Sequence, residues 1–200
     1  MKNIEMIKEI QQKLGIEVDG LAGPQTWSAI YTHILKKELP VFPTDQVDAK
    51  SEKVIATLQS EVQVYARALI HKAKEVGIDI RVISGLRTYA EQDKLYAQGR
   101  TENIKGGIVT NAKGGHSNHN FGIAFDIGVF EGIVYLDESP KYKAVGALGM
   151  QLGLEWGGNW HTIVDQPHFQ LRPVWAKNLS EEQMLADLRE RKEKNQAIYT

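Results

Sequence analysis

Two short stretches carry the most informative residues of this chain: SNHNFGIAFD at residues 117–126 and WHTIVDQPHF at residues 160–169. Together they supply two histidines and a carboxylate suited to one zinc ion, and one further acid. Three protein ligands leave a coordination position open for water, whereas a purely structural zinc site usually closes with four. The chain contains no cysteine, which excludes the thiolate sites of structural zinc domains. The pattern is therefore typical of a catalytic metal centre.

The composition suits a globular protein with one main domain and a small appendage, because the chain has 200 residues. Lys and Arg total 24 and Asp and Glu total 25, which gives a formal net charge of -1. Such a small net charge creates no overall field that attracts nucleic acid or an anionic membrane, so we expect neither as a partner. The first ten residues carry frequent charges and lack the apolar region of a signal peptide. We therefore expect synthesis in the cytoplasm, no stable membrane association and a monomer.

Residues 1–38 are predicted to form a small all-α module. Apolar residues recur at helical spacing from Ile4 to Leu14, and Pro24 is well placed to open a second helix. This segment resembles the small helical peptidoglycan-binding domain attached to many cell-wall hydrolases. The residues that carry the resemblance are Gln11, Leu14, Gly15, Asp19, Gly20, Gly23, Pro24, Thr26, Ala29 and Ile30. The alternative is a helical hairpin that merely packs on the main domain.

The rest of the chain divides into a linker, a main domain and a tail. Two closely spaced prolines predict a linker over 39–46, since the residue before each proline avoids helical geometry. A zinc peptidase domain is expected over 47–178. Residues 179–200 are highly charged, and within them we expect a solvated surface helix over 180–195, to which we assign no chemistry.

The main domain is predicted to have an α+β fold, in which helices flank a small antiparallel sheet that carries the zinc site. Hydrophobic periodicity predicts the elements. Expected helices span residues 51–76, 88–98 and 141–152, and expected strands lie within 78–84, 123–129, 133–136 and 169–171. Thr88 and Glu91 form a capping-box pattern at the start of the second of these helices. The glycine-rich segment 99–115 is expected to be a loop over or beside the site.

Three groups of residues in the main domain resemble one enzyme family. They are Ser84-Gly-x-Arg87-Thr88-x-x-x-Gln92, then Ser117-x-His119-x-x-Gly122-x-Ala124-x-Asp126, and then Glu155-Trp156 with Asp165-x-x-His168-Phe169. They resemble the zinc D,D-carboxypeptidases and L-alanyl-D-glutamate endopeptidases that hydrolyse peptidoglycan. The block from Trp156 to Gln170 looks most like the phage endolysins and bacterial enzymes that cut between L-alanine and D-glutamate.

This resemblance implies roles for particular residues. It implies that His119, Asp126 and His168 bind zinc, and that Asp165 is the general base for attack by zinc-bound water. The chemistry agrees, because imidazole nitrogen and carboxylate oxygen are zinc ligands and an acid within reach of the bound water can take its proton. Pro167 restricts the backbone between the base and the last ligand.

The resemblance also implies substrate-binding residues. Arg87 is the implied anchor for a substrate carboxylate or carbonyl, since its planar guanidinium matches a carboxylate in a bidentate manner. The alternative is a structural ion pair that closes the turn between strand and helix. Ser117 is assigned to substrate binding or to orienting the metal loop.

Four further polar residues in or beside the motifs have more than one role open to them. Ser84, Gln92, His116 and Glu155 are candidates for supporting the metal ligands or the substrate. Glu155 in particular could hold a ligand histidine in one tautomer, or be an ordinary acid in a turn. Trp156 and Trp160 are interpreted as cleft walls or core. The remaining histidines away from the motifs are interpreted as surface or core residues.

The expected function is that of a zinc-dependent peptidoglycan endopeptidase that hydrolyses the L-alanyl-D-glutamate bond, as an endolysin acting on the cell wall after phage-mediated release. A D-alanyl-D-alanine carboxypeptidase or dipeptidase would use the same metal and base. A non-catalytic wall-binding protein is the alternative outside the enzymes. The glycine pairs at 106–107 and 114–115 lack a phosphate-binding signature, and no nucleophile-elbow serine motif is present.

Overall fold

A computed structural model of the chain describes residues 3–22, 26–27, 29–30, 33, 45–161 and 163–199. The chain divides into two compact units, residues 1–41 and 42–200. The predicted second helix of the N-terminal module lies largely outside the described residues, as does the predicted linker except for its last two residues.

The first unit is organised around the buried side chain of Gln11, which lies on helix α1 (Asn3–Leu14). The Gln11 oxygen accepts a hydrogen bond from Gly20 N–H at 2.8 Å. Its amide nitrogen donates to Asp19 Oδ1 at 2.6 Å, Leu21 O at 3.0 Å and Thr26 Oγ1 at 2.9 Å. Gly20 has φ +78°, in the left-handed region that favours glycine. Four residues of the predicted wall-binding motif therefore share one network that orders the loop after α1.

The second unit contains, within its described part, five helices and five strands. The helices are α2 (Ala49–Ile55), α3 (Ser60–Glu75), α4 (Tyr89–Ala97), α5 (Lys141–Leu152) and α6 (Glu181–Glu193). The strands are β1 (Asp79–Ser84), β2 (Ala124–Glu131), β3 (Val134–Leu136), β4 (Glu155–Trp156) and β5 (His168–Gln170). The predicted α+β class is confirmed. No helix among the described residues is long and apolar enough to cross a membrane.

Strand β2 is the centre of the sheet, and all its neighbours are antiparallel. Strand β1 lies along one edge of β2. Strands β5 and β3 share the other edge at different positions along it, and β4 pairs with β5. Asp126 is thus opposite Ser84 of β1 on one side and His168 of β5 on the other.

Alternation along β2 separates the core from the site. Phe125, Ile127 and Val129 are fully buried in one hydrophobic cluster with residues of α3 and α5. Because successive side chains of a strand point to opposite faces, Asp126 lies on the other face of the sheet. Phe169 of β5 stacks on Phe125 with ring centroids 5.8 Å apart. The core face therefore fixes the pairing of β2 with β5.

The prediction of one long helix over 51–76 is wrong, because the chain breaks between α2 and α3 at residues 56–59. The backbone N–H of Gln59 donates to Gly122 O at 3.0 Å, and its side-chain amide donates to Phe121 O at 3.0 Å. Thr57 Oγ1 accepts from Leu86 N–H at 3.1 Å. The break thus provides hydrogen-bond partners for backbone groups of two distant segments. A continuous helix would leave those backbone groups unpaired. The predicted helix end at Gly77, with φ +76°, is confirmed.

The prediction of a solvated C-terminal helix is wrong for one face of α6. Met184, Leu185 and Leu188 are buried in a second hydrophobic cluster with Phe121 and Ile123. The sequence concealed this face because three apolar residues in a highly charged helix produce only a weak pattern. Helix α6 therefore packs against the segment that carries the first predicted zinc ligand.

Replacement of Leu188 by Ala is expected to lower the free energy of unfolding by about 2–5 kcal/mol, because it leaves a cavity beneath α6. The measurement is urea denaturation of the full chain. Asp187→Ala is the matched control, since Asp187 is the exposed neighbour on the same helix. Equal stability of the two variants would mean that α6 does not pack as described.

Candidate metal centre

Strand pairing places a carboxylate and an imidazole side by side on the face of the sheet opposite the core. Asp126 and His168 are directly opposite each other in the antiparallel β2–β5 pair, so their side chains leave the same face. His168 Nδ1 lies 3.3 Å from Asp126 Oδ1. His168 is only 5% exposed, because the turn before β5 and the ring of Trp160 cover it.

The third donor comes from a short 3-10 turn, Asn118–Phe121, that leads into β2. Gly122 ends this turn with φ +69°, which favours glycine. His119 Nε2 lies 3.2 Å from Asp126 Oδ1 and 3.2 Å from His168 Nδ1. Among the described residues, these three side chains form the group whose spacing suits a metal ion. Two imidazole nitrogens and one carboxylate oxygen are a donor set that zinc accepts.

The outer nitrogen of each imidazole also has a partner. His119 Nδ1 lies 2.8 Å from Gly85 O, and His168 Nε2 lies 2.9 Å from Gln170 Oε1. A carbonyl oxygen can only accept, so each of these outer nitrogens carries the proton. In the neutral form of each ring, the inner nitrogen then presents its lone pair toward Asp126. Hydrogen-bonded outer nitrogens of this kind are the usual support of metal-binding histidines.

Arg87 lies beside the cluster and pairs with Asp126. Its Nη2 donates to Asp126 Oδ2 at 2.8 Å and to Ser84 Oγ at 3.1 Å, and its Nη1 donates to Gln92 Oε1 at 3.2 Å. Gln92 is fully buried and donates in turn to Ala112 O at 2.9 Å. These contacts match the alternative of a structural ion pair. Substrate binding by Arg87 stays a prediction.

The charge state of Asp126 follows from its surroundings. Burial alone would disfavour the ionised carboxyl, but the adjacent His119 and His168 outweigh it and hold the pKa of Asp126 well below its usual range. Asp126 Oδ2 is occupied by Arg87, while Oδ1 faces the two histidines. The carboxylate therefore presents one oxygen to the cluster in its charged form.

Asp165 lies on the turn that immediately precedes His168 and strand β5. His168 N–H donates to Asp165 O at 3.3 Å, and Asp165 N–H donates to Gly157 O at 3.1 Å. A Cβ on Gly157 would lie 2.5 Å from Asp165 O and 3.0 Å from His168 Cβ, so only glycine allows this approach. Burial, together with repulsion from Asp126, raises the pKa of Asp165. The structure thus brings the predicted base and the predicted ligands to one place.

The other candidate residues are not members of the metal-binding group found among the described residues. Ser117 is half-buried at the start of the 3-10 turn, and its N–H donates to Asn120 Oδ1 at 3.3 Å. His116 is exposed and does not join the metal-binding group. The Glu155 carboxylate accepts hydrogen bonds from Gln170 and Arg172, and within the described residues no hydrogen bond joins it to a histidine. Trp156 is buried, while Trp160 is 38% exposed.

Sequence reasoning missed Gly85 and Gln170, which hold the outer nitrogens of the two histidines. Gly85 acts through its carbonyl, which carries no side-chain signal. Gln170 is two residues after His168 and is only 1% exposed. A polar residue two positions after a metal ligand, and so on the same face of the strand, was the available signal, because a buried amide needs partners.

Comparison with known proteins places the chain in a family. Residues 55–155 match the family described as VanY, D-alanyl-D-alanine carboxypeptidase. The chain belongs to this family, and the family resemblance predicted from the main-domain motifs is confirmed.

Individual relatives are named as L-alanyl-D-glutamate peptidases. The chain is 38% identical over 130 residues to the peptidoglycan L-alanyl-D-glutamate endopeptidase CwlK of Bacillus subtilis (strain 168), covering 60% of this chain and 77% of that protein. It is 28% identical over 116 residues to the L-alanyl-D-glutamate peptidase of Listeria phage A118, covering 56% of this chain and 37% of that protein. The crystal structure of the L-Ala D-Glu endopeptidase ChiX of Serratia marcescens shares the fold. Its TM-score is 0.50 at 23% identity, over 68% of this chain and 96% of that one.

Replacement of Gly157 by Ala is expected to destabilise the second unit by about 1–3 kcal/mol, because the added methyl group overpacks against Asp165 and His168. Urea denaturation measures the effect. Asn159→Ala is the control, since Asn159 is exposed in the same short turn. Identical midpoints for the two variants would show that the turn carrying Asp165 is looser than described.

Proposed function

We propose that this chain is a zinc-dependent peptidoglycan endopeptidase that hydrolyses the L-alanyl-D-glutamate bond of the stem peptide. The observation that carries the proposal is the cluster of His119, Asp126 and His168 with Asp165 on the turn before His168. Membership of the VanY family supports peptidase chemistry on the cell wall.

The donor atoms fit a zinc ion. His119 Nε2, Asp126 Oδ1 and His168 Nδ1 would hold it, and the outer nitrogens of both histidines already have acceptors. In the neutral form of both rings, two imidazole lone pairs and a carboxylate oxygen converge on one point, which is the arrangement that a bound cation stabilises. Three protein ligands also leave a position open for water.

The metal and the residues around the cluster have different roles in the proposed reaction. When bound there, zinc supplies Lewis acidity, which polarises a carbonyl group and makes a coordinated water more acidic. Asp165 is the group that takes a proton from the attacking water and passes it to the leaving amine. Its raised pKa keeps it a better proton acceptor than an ordinary aspartate. Arg87 holds Asp126 Oδ2 and thereby directs Oδ1 at the cluster.

The relatives support the L-alanyl-D-glutamate bond as the target. Both the Bacillus subtilis enzyme and the Listeria phage enzyme are named for this bond, and the first is matched over most of its length. The family description favours a second candidate function, D-alanyl-D-alanine carboxypeptidase, which uses the same chemistry on the end of the stem peptide. The phage relative supports action on the wall after phage-mediated release.

Mass spectrometry of purified peptidoglycan digested by the zinc-loaded chain tests both the bond and the base. We expect new D-glutamate amino termini, and a reduction in their rate of appearance of about 10²–10⁴-fold in Asp165→Asn, because the amide cannot accept the proton. Asp187→Asn, on the exposed face of α6, is the control. Release of D-alanine instead would favour the carboxypeptidase. Full activity of Asp165→Asn would remove this residue from the mechanism.

We further propose that the first unit binds peptidoglycan. The motif resemblance supports this, and Gln11 links the motif residues Asp19, Gly20 and Thr26 in one ordered loop. An ordered loop presents its surface at a lower entropic cost than a mobile one.

Replacement of Gln11 by Leu is expected to reduce the fraction of chain that sediments with purified cell walls, because the loop loses its central hydrogen bonds. The Asp165→Asn background prevents digestion during the assay. Gln12→Leu is the matched control, since Gln12 is the exposed neighbour on α1. Unchanged sedimentation of Gln11→Leu would argue that this loop is not the wall-binding element.

A further inference from the structure

Gln170 is a buried residue at the centre of a polar network behind the metal cluster. It is 1% exposed and directly contacts His168, whose other ring nitrogen faces Asp126. Gln170 Nε2 donates to Glu155 Oε2 at 2.6 Å, and Gln170 Oε1 accepts from Asn118 Nδ2 at 2.6 Å. Every polar atom of the Gln170 side chain therefore has a partner.

The hydrogen-bond partners of Gln170 determine which way its side-chain amide points. An ionised carboxylate can only accept, so Glu155 requires the NH₂ end of the Gln170 amide. The oxygen end must then face His168 Nε2. An oxygen in that position accepts a proton from Nε2 and so leaves the lone pair of the histidine on Nδ1, toward the cluster. If the amide turned over, its NH₂ group would face the ring and favour the opposite tautomer.

The C-terminal helix closes this network from the other side. Asn118 Nδ2 also donates to Glu181 Oε1 at 2.5 Å, where Glu181 is the first residue of α6. Arg172 joins the two acids, since it donates to Glu155 and, at 2.7 Å, to Glu181 Oε2. Asn118 Oδ1 is the buried side-chain atom that finds no partner within the described residues. The Asn118 amide keeps this orientation because two acceptors face its nitrogen.

We propose that Gln170 is a positioning residue that holds His168 in the tautomer able to bind the metal, and that Glu155 and Glu181 hold Gln170 in turn, the second of them through Asn118. The inference rests on the proposed function for the identity of the metal. Helix α6 thereby supports the metal centre indirectly, through Asn118 and Gln170.

The direct test is Gln170→Leu, which keeps similar volume and removes both ends of the amide. The tautomer of His168 is read from the nitrogen chemical shifts of its ring in the metal-free chain, at a pH where the ring is neutral. We expect the wild-type chain to carry the proton on Nε2 and the variant to populate both tautomers. Zinc affinity, measured by competition with a chelating dye, is expected to fall about 10–100-fold.

An exchange of the two side chains separates hydrogen-bond direction from packing. Gln170→Glu alone brings its new carboxylate against that of Glu155, and we expect loss of zinc affinity. The double variant Gln170→Glu with Glu155→Gln restores one donor and one acceptor between these positions, and still offers an oxygen to His168 Nε2. We expect it to recover most of the affinity and the Nε2–H tautomer. No recovery relative to Gln170→Glu would overturn the proposal, even if Gln170→Leu fails to fold.

The part played by α6 is tested with neighbouring isosteric changes. Glu181→Gln removes the charge that faces Asn118 and Arg172, and we expect zinc affinity to fall several-fold. Glu182→Gln, at the exposed next residue, is expected to leave it unchanged. Equal zinc affinities for these two variants would remove α6 from the network.

These readouts are independent of peptide cleavage. A wild-type chain that binds zinc with the expected tautomer but releases no peptide would contradict the proposed function and support the positioning role. A wild-type His168 that carries its proton on Nδ1, or a Gln170→Leu variant with unchanged tautomer and affinity, would overturn the positioning role whatever the activity.

Discussion

The pairing of Asp126 with His168 across β2 and β5 is the contact on which the rest of the site depends. The two residues are opposite each other in the sheet, so backbone hydrogen bonds set their spacing before any metal is bound. A slip of one residue would turn one of them into the core, since side chains alternate between faces. The neighbouring pair, Phe125 and Phe169, prevents this slip because both rings are fully buried on the other face. Core packing thus determines the geometry of the polar site.

His119 is different, because no strand holds it. Its turn is held by contacts from several directions. Gln59 donates to the carbonyls of Phe121 and Gly122, and from α6 Lys192 Nζ donates to Asn120 O at 2.9 Å. The break between α2 and α3 and the packing of α6 therefore have the same structural role. Both fix a loop residue relative to two residues of a sheet.

How well the sequence predicts this structure depends on how far apart in the chain the interacting residues lie. Local signals sufficed for α4, whose Thr88 and Glu91 form the expected capping box, and for α5, whose bounds match the predicted 141–152. They failed at residues 56–59, because the partners of Gln59 lie about sixty residues further along the chain. The motifs likewise named the four residues now found together, but Gly85 could not be inferred, since its contribution is a backbone carbonyl.

The two acids of the site are the same residue type in opposite environments, and this difference agrees with the roles proposed for them. Asp126 is surrounded by His119, His168 and Arg87, and its pKa is held well below the usual range. Asp165 is half-buried without a hydrogen-bonded cation within the described residues, and this partial burial with repulsion from Asp126 raises its pKa. An acid that stays ionised serves as a ligand, whereas an acid whose proton affinity is raised serves as a base. Two aspartates thus have different proton affinities because their surroundings differ, which is the pattern of active sites with paired acids.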